Sequence, residues 1–199
     1  MKGKSRLRYR KKTFRIDDSY NTVLCLYRAY EEETLTDEEK IEVAASLLVT
    51  NHRLYLSAMP AAWKAELVEL ILKKYVELPK RPPVRTHGEQ SLDFWRDKGY
   101  ILSSFQKDYG IDLIKEQGKM KWKEFIDLFQ GLSEDTKIRE VMRIRTMEIP
   151  AYNGRNGKEI QEISELKAYY MLPVKGGGGK QGLNRLFDIL EAQAAGKGT

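Results

Sequence analysis

The sequence predicts an all-α fold, a compact bundle-like domain of about seven to eight helices. Apolar residues recur at helical spacing through most of the 199 residues. No alternation of period two is long enough to support a sheet, and no internal repeat of fixed length is present. Hydrophobic residues make up 41% and charged residues 32%, which is typical of a soluble, helix-rich protein.

Composition shifts divide the chain into three parts. In order, we expect a flexible basic arm over 1–13, a helical domain over 14–172 and, over 173–199, a glycine-rich spacer with a terminal amphipathic helix. Within the domain, sub-clusters 17–78 and 91–172 are joined by a proline-rich linker over 79–90. No apolar run approaches the roughly 20 residues that span a bilayer, so we expect neither membrane insertion nor secretion.

The net charge of +6 is located in the arm. Residues 1–16 hold eight basic residues and no acid, which leaves 27 basic against 29 acidic residues elsewhere. Such an arm can bind phosphates in a salt-sensitive way, and the candidate contacts are Arg6, Arg8, Arg10, Lys11 and Lys12. It can equally be a solvated tail, or a strand in which Leu7, Tyr9 and Phe14 touch the body. Without a reader motif, nucleic-acid binding is the less favoured alternative.

The first helices are predicted from caps and stripes. Helix one starts near Asp18 or Ser19, and one side of it carries Tyr20, Val23, Leu24, Tyr27 and Tyr30. The single cysteine, Cys25, excludes an internal disulfide; we expect it to be buried as a small hydrophobe in a reducing cytoplasm. Thr36 and Glu39 have the spacing of a capping box for helix two.

The helix after Pro60 has a wide apolar face. After the connection over 51–57, that face includes Trp63, Leu67, Leu70, Ile71 and Tyr75. A face this wide needs cover on more than one side, so the helix is either central to the core or an interaction surface.

Further helices follow at recognisable caps and stops. Ser91 can cap a helix that directs Phe94, Ile101, Leu102 and Phe105 inward and that Gly110 stops. A pair of helices is predicted next: the first has an apolar stripe, and after Gly131 the second is capped by Ser133. That stripe comprises Trp122, Phe125, Ile126, Phe129 and Leu132. Two later helices carry the stripes Ile160, Ile163, Leu166, Tyr170 and Leu183, Leu186, Phe187, Leu190, Ala194.

The residue pattern contains no recognisable catalytic or cofactor-binding motif. The glycine run before Lys180 has Gln181 where a phosphate-binding loop needs Ser or Thr. His52 and His87 have no Cys or His partner at ligand spacing, so neither a metal nor another cofactor is expected. No nucleophile, base and orienting group form a recognisable set. The sequence therefore predicts a non-enzymatic protein that works by binding.

Several motifs resemble the bacteriophage gene-product-fifteen family of tailed phages of Gram-positive bacteria. They are IDD (16–18), LTDEEK (35–40), YGIDL (109–113), LFQGLSEDT (128–136), RTM (145–147) and YYMLP (169–173). The residues that match and that we expect to be structural are Tyr109, Gly110, Asp112, Trp122, Phe125, Phe129, Gly131, Leu132, Ser133 and Arg145. Lys123 departs from the pattern, which tends to have a second aromatic residue there.

The resemblance implies a tail assembly chaperone. Genes of the family lie between those of the major tail protein and the tape measure protein. The implied role is to coat the tape measure protein in the host cytoplasm until tail tube subunits displace it, so that the mature virion lacks the chaperone. We expect partner contacts at the face of Trp63, Leu67, Leu70, Ile71 and Tyr75, or at Leu186, Phe187 and Leu190, and self-association is compatible with this role. The alternatives are a minor tail or head-tail junction protein and a nucleic-acid-associated protein acting through the arm.

Overall fold

The computed structural model of the protein describes residues 4–78 and 91–172, and these residues are mostly helical, as predicted. The elements are β1 (Ser5–Tyr9), β2 (Lys12–Ile16), α1 (Tyr20–Glu31), α2 (Asp37–Leu48), α3 (Arg53–Ser57), α4 (Ala61–Ile71), a π-helical segment (Leu72–Val76), α5 (Lys98–Tyr109), α6 (Trp122–Gln130), α7 (Lys137–Thr146) and α8 (Gly157–Tyr170). The predicted linker over 79–90 and the predicted terminal helix lie outside the described residues.

The described residues form two compact units. Unit 1 comprises 4–78 and 115–130, and unit 2 comprises 91–114 and 131–172. The two helices of the predicted pair therefore belong to different units, α6 to unit 1 and α7 to unit 2. The cause is packing, because the stripe of α6 contacts α1 and the π-helical segment, whereas α7 contacts α5 and α8.

The basic segment, expected as a flexible arm in an all-α chain, forms an antiparallel hairpin instead. Strand β1 pairs with β2 so that Tyr9 faces Lys12 and Ser5 faces Ile16. The two residues between the strands, Arg10 and Lys11, have φ values of 45° and 65°, as a type I′ turn requires.

The hairpin is held by its inner face. Leu7, Tyr9, Phe14 and Ile16 are buried in a hydrophobic cluster of unit 1, with residues of α2 and α4. The alternative of a strand that touches the body is thus confirmed for this segment. Burial of four large side chains, each stabilising by about 1.5 to 3 kcal/mol, outweighs the strain of the turn.

Helices α1 and α2 begin where the caps predict. Ser19 is the N-cap residue of α1, and Thr36 and Glu39 form the predicted capping box, in which the Glu39 amide donates to the Thr36 hydroxyl over 3.2 Å. Bonds from the Thr36 amide and hydroxyl hold the pKa of the Glu39 carboxyl below its usual value. The expectation for Cys25 was wrong: it is exposed, because α1 buries the side that carries Tyr20, Val23 and Leu26.

One boundary in the N-terminal half differs from the expectation. The expected connection over 51–57 contains the short helix α3, which buries Leu56. Pro60 stands at the N-cap of α4. On α4, Lys64 is buried and pairs with Glu42, so an ammonium head interrupts the predicted apolar face.

Helix α6 supplies the aromatic centre of unit 1. Trp122 is fully buried, and its indole Nε1 donates to the carbonyl of Val76 over 3.0 Å. The Phe125 ring stacks on the ring of Tyr20 at 4.8 Å between centroids. The predicted stripe residues Trp122, Phe125, Ile126 and Phe129 are all buried.

Unit 2 contains helices α5, α7 and α8. Helix α5 begins at Lys98, later than the expected Ser91 cap, because the Asp93 carboxylate accepts from the amides of Trp95 and Arg96 in a preceding turn. Gly110 ends α5 with φ of 65°, as predicted.

Ser133 does not cap α7. Its amide and hydroxyl bond instead to the Asp108 carboxylate, while Thr136 occupies the N-cap position. Neighbouring motif residues also have structural roles: Leu132 is buried, and the Asp112 carboxylate accepts from the Ile114 amide in a turn. Tyr109 packs edge-on against Phe105, at 5.8 Å between ring centroids.

The centre of unit 2 is a buried ion pair. Both terminal nitrogens of Arg145 donate to Asp97, over 2.6 Å and 2.8 Å. Arg145 also donates to the carbonyls of Ser91 and Tyr170, over 2.9 Å and 2.7 Å. The motif residue Arg145 therefore joins α7, the start of α5 and the end of α8. Across 4–78 and 91–172, no helix is long and apolar enough to cross a membrane.

Candidate partner-binding surfaces

The structure divides the predicted contact face of α4. Leu67 and Ile71 are fully buried and belong to the core of unit 1. Trp63 and Leu70 lie on the outside, 38% and 43% exposed, and are two helical turns apart on one face. Tyr75 is half-buried, and its hydroxyl donates to the Arg6 carbonyl over 2.8 Å. Trp63 and Leu70 are the members of the set that a partner can reach directly.

The exposed Trp63 ring is partly covered by Arg10. The guanidinium carbon lies 4.0 Å from the ring centroid, a cation–π contact. Arg10 also donates to the Tyr9 hydroxyl over 2.7 Å and to the Glu66 carboxylate over 3.0 Å. Bonds from Tyr9 and Arg10 hold the pKa of the Glu66 carboxyl below its usual value. Arg10, expected as a phosphate contact, is therefore engaged within its own unit, and so is Lys12, whose Nζ lies 4.4 Å from the Tyr55 ring centroid.

Helix α8 presents a second apolar face, which the sequence analysis did not identify as a binding surface. None of its 14 residues is buried by the described parts of the chain. Ile160, Ile163 and Tyr170 are half-buried, while Leu166 is 47% and Tyr169 is 77% exposed. At 100° per residue these five side chains cover an arc of about 180°. The width of this arc was the signal in the sequence, since one neighbouring helix covers only part of it.

Polar contacts anchor α8 in spite of its exposure. Arg145 binds the carbonyl of Tyr170, and Lys167 donates to the carbonyl of Met147 over 2.8 Å. The Lys137 ammonium stands 5.1 Å from the Tyr170 ring centroid, and hydrogen bonding with the side chains of Tyr170 and then Glu140 raises the pKa of Lys137. These bonds lie on the inner side of the helix. The outer side, with Leu166 and Tyr169, is thus presented on a fixed helix.

More exposed apolar side chains of unit 2 lie close to α8 in sequence. They are Ile149, Tyr152 and Met171, which are 49%, 71% and 66% exposed. Exposed apolar side chains are typical of a protein-binding surface where they are grouped, whereas isolated ones are ordinary. Nothing in 91–114 or 131–172 buries these side chains.

The hairpin presents a third surface, its outer face. We call Arg6, Arg8 and Arg15 the basic platform; all three are exposed, and Arg6 faces Arg15 across the strands. Arg6 and Arg8 are among the predicted phosphate contacts, whereas Arg15 becomes their neighbour only when the hairpin forms. Lys11 is exposed at the turn.

Other predicted site residues have different outcomes. Leu186, Phe187 and Leu190 lie outside the described residues. Gly131 is exposed between α6 and α7. His52 begins α3 with φ of 55° and packs edge-on against Phe14, at 5.8 Å between ring centroids. Within 4–78 and 91–172, no group of three or more His, Cys, Asp or Glu side chains is placed to hold a metal ion.

Comparison with known proteins identifies the family. The family model described as Bacteriophage Gp15 protein matches residues 4–172, which is most of the chain. No curated protein and no solved structure matches the chain significantly. The chain therefore belongs to the bacteriophage Gp15 protein family.

Proposed function

We propose that this member of the bacteriophage Gp15 family is a non-enzymatic tail assembly chaperone that binds the tape measure protein in the host cytoplasm. It covers apolar helical segments of that partner until tail tube proteins displace it, and it stays out of the mature virion. The observation that supports this proposal best is the exposed apolar face of α8. A tail assembly role is also what the motif resemblance implies.

The chemistry of the α8 face suits a helical partner. Leu166 and Tyr169 are three residues apart, so they form one ridge, and a second amphipathic helix can lay its own ridge beside them. Long helices with an apolar stripe aggregate unless the stripe is covered. A face that is fixed in place but not buried provides such cover without unfolding the chaperone.

The outer side of α4 offers a second contact of the same kind. Trp63 and Leu70 are separated by seven residues, about 10.5 Å along the helix axis. Their surroundings are charged, with Glu66 and Lys73 exposed on the same helix and its π-helical continuation. This surface has fewer exposed apolar side chains than the α8 face and its surroundings, so we expect it to contribute less to partner binding.

Co-expression with the tape measure protein of the same phage tests the proposal. The wild-type chain should keep a large share of that protein in the soluble fraction. A Leu166→Ser/Tyr169→Ser variant should lose most of this effect, and a Trp63→Ser/Leu70→Ser variant should lose less. The matched control is Leu54→Ser/Ile114→Ser, which also removes two exposed apolar side chains and should behave as the wild type.

Three results would contradict the proposal or move it to another surface. Equal solubility of the tape measure protein with and without this chain contradicts the chaperone function. Full activity of the α8 variant excludes α8 as the contact. If removal of residues 173–199 abolishes binding of the tape measure protein, the contact lies in those residues and not on α8.

The composition of purified virions distinguishes the proposed chaperone from a virion protein. A chaperone should be absent from them, whereas a minor tail or head-tail junction protein should be present in a fixed copy number. Quantitative mass spectrometry of gradient-purified particles measures this. A stoichiometric amount of the chain in the particles would contradict the proposed role.

A further inference from the structure

We infer that copies of this protein associate head to tail, the basic platform of one copy binding the acidic residues 31–39 of the next. We call residues 31–39 the acidic pole. It holds six carboxylates and no basic side chain, and the basic platform holds three guanidiniums. Both belong to unit 1.

The basic platform reduces the stability of the hairpin that carries it. Tyr9 and Lys12 close the two-residue turn as a hydrogen-bonded pair, and the pair types alternate along an antiparallel ladder. Arg6 and Arg15 therefore form a non-hydrogen-bonded pair, the type whose side chains approach most closely. Like charges in this position destabilise a sheet. Among the described residues, Arg6, Arg8 and Arg15 have no acidic side chain as a partner that would offset this repulsion.

The acidic pole likewise reduces the stability of helix α1. Glu31 is the last residue of α1 and Glu32 its C-cap residue, and Glu33 follows. The C-terminal end of a helix carries partial negative charge, so carboxylates there are unfavourable. Only the acids at the start of α2, among them the capping-box residue Glu39, are placed well for their helix. The platform and the carboxylates of Glu32 and Glu33 are thus placed against local stability, which an oppositely charged partner would offset.

The two surfaces cannot neutralise each other within one copy. The start of α1 and the end of α2 both adjoin the hairpin: the Ser5 hydroxyl donates to Asp18 over 2.8 Å, and the Asp17 amide donates to the Leu48 carbonyl over 2.8 Å. Each helix has 12 residues and is about 18 Å long, and its other end lies at the acidic pole. That distance is about twice the Debye length of about 8 Å at physiological salt, so the intramolecular attraction is screened.

A second copy fits the platform better than a nucleic acid does. The chain outside residues 1–16 has more acidic than basic residues and repels a polyanion. Arg10 and Lys12, which would extend a phosphate-binding surface, are held by Glu66 and by aromatic rings. The acidic pole supplies carboxylates, with which guanidinium groups form paired hydrogen bonds.

Two different surfaces in contact produce a heterologous interface, which extends into rings or open chains of copies. The association does not depend on the proposed function. If both hold, a chain of copies repeats the α8 face along a long helical partner.

Two neutralised variants test the inference. The platform variant is Arg6→Gln/Arg8→Gln/Arg15→Gln, and the pole variant is Glu32→Gln/Glu33→Gln/Glu38→Gln, which leaves the capping box intact. Light scattering on a sizing column gives the mass of each at about 10 mM and about 1 M salt, where the Debye lengths are about 30 Å and 3 Å. The wild type should exceed 23.1 kDa at low salt and return to it at high salt.

Mixing the variants gives the sharpest result. Each alone should be a monomer at low salt, since each lacks one surface. Together they should form a dimer and stop there, because the platform variant retains the pole and the pole variant retains the platform. The matched controls are Arg53→Gln/Arg143→Gln/Arg155→Gln and Glu159→Gln/Glu162→Gln/Glu165→Gln, which change the net charge equally and should assemble as the wild type does.

Several outcomes would overturn the inference. They are a monomeric wild type at low salt, a platform variant that assembles as the wild type does, and a mixture that stays monomeric although circular dichroism shows both variants folded. Nuclease treatment separates the rival occupant. Suppose that nuclease dissociates the assembly and that, of the two variants, only the platform variant lacks bound nucleic acid. A polyanion and not a second copy then occupies the platform. None of these outcomes involves the tape measure protein, so failure here leaves the proposed function standing.

Discussion

Unit 1 and unit 2 are organised around opposite kinds of buried group. The centre of unit 1 is an aromatic cluster, in which Trp122 packs against Tyr27 and Phe125 at 5.8 Å and 5.9 Å between ring centroids. The centre of unit 2 is the ion pair of Arg145 and Asp97, with both side chains almost fully removed from solvent.

The difference determines how each unit is specified. An aromatic cluster is held by non-directional burial of large side chains and tolerates small changes of geometry. A buried ion pair must recover a large desolvation cost through well-formed bonds, so it requires one geometry. Arg145 also binds the carbonyl of Tyr170 at the end of α8. The position of the proposed α8 contact face therefore depends on a polar group.

Removal of the aromatic centre should have the largest effect. Trp122→Ala deletes a fully buried side chain and leaves the Val76 carbonyl without its indole donor, so we expect a loss of about 3 to 5 kcal/mol of unfolding free energy. Trp122→Phe should lose less, because it keeps a ring. Urea denaturation followed by circular dichroism measures both. A small loss for the Ala variant would show that the cluster is not the centre of unit 1.

Removal of one ion-pair partner should cost nearly as much. Arg145→Met leaves the Asp97 carboxylate buried without its guanidinium, which typically costs about 3 to 5 kcal/mol. Hydrogen exchange of amides in α5, α7 and the end of α8 should rise. The double variant Asp97→Leu/Arg145→Met should recover part of the stability, since no unpaired charge remains. If the double variant is no more stable than Arg145→Met, the pair stabilises unit 2 chiefly through its bonds to the Ser91 and Tyr170 carbonyls.

A matched pair of glycines compares the backbone of the two units. Gly110 in unit 2 and Gly118 in unit 1 have φ of 65° and 70°, and an added Cβ would meet no atom within 4 Å at either. Only the strain of a left-handed backbone is then left, about 1 kcal/mol for Ala at each position. Thermal denaturation of both variants measures it. Clearly unequal losses would indicate that one turn is coupled more strongly to its unit.

The smallest expected effect is a gain. Arg15→Thr removes the like-charged neighbour of Arg6 and places a β-branched residue on an exposed strand, so unit 1 should gain about 0.5 kcal/mol. The gain should shrink at high salt. The control Arg53→Thr changes the same charge outside the hairpin and should not stabilise the protein. A loss on Arg15→Thr would mean that the Arg15 side chain has a stabilising partner.

Features with a short-range cause were predictable from the sequence. The capping box of Thr36 and Glu39 needs only two side chains three residues apart, and the stop at Gly110 needs only one left-handed residue. The stripe of α6 follows from the helical period. The hairpin was missed because each strand has five residues and its turn, Arg10–Lys11, lacks the usual Asn or Gly.

Features that depend on distant partners were not predictable. The sequence alone favours Ser133 as a cap, but Asp108 binds its amide and hydroxyl. Asp97 gave no sign that it would be the partner of Arg145, 48 residues away. Of the predicted contact face, tertiary packing buries Leu67 and Ile71 and leaves Trp63 and Leu70 exposed.

The sequence by itself determined the helical class, most helix positions, the aromatic stripe of α6 and the family motifs, because each is set by spacing within one or two turns. Only the tertiary structure decided the rest. It ordered the basic segment as a strand pair, assigned α6 and α7 to different units and left the α8 face uncovered. The physical reason is that burial depends on which surfaces meet, and periodicity shows only that a surface is apolar.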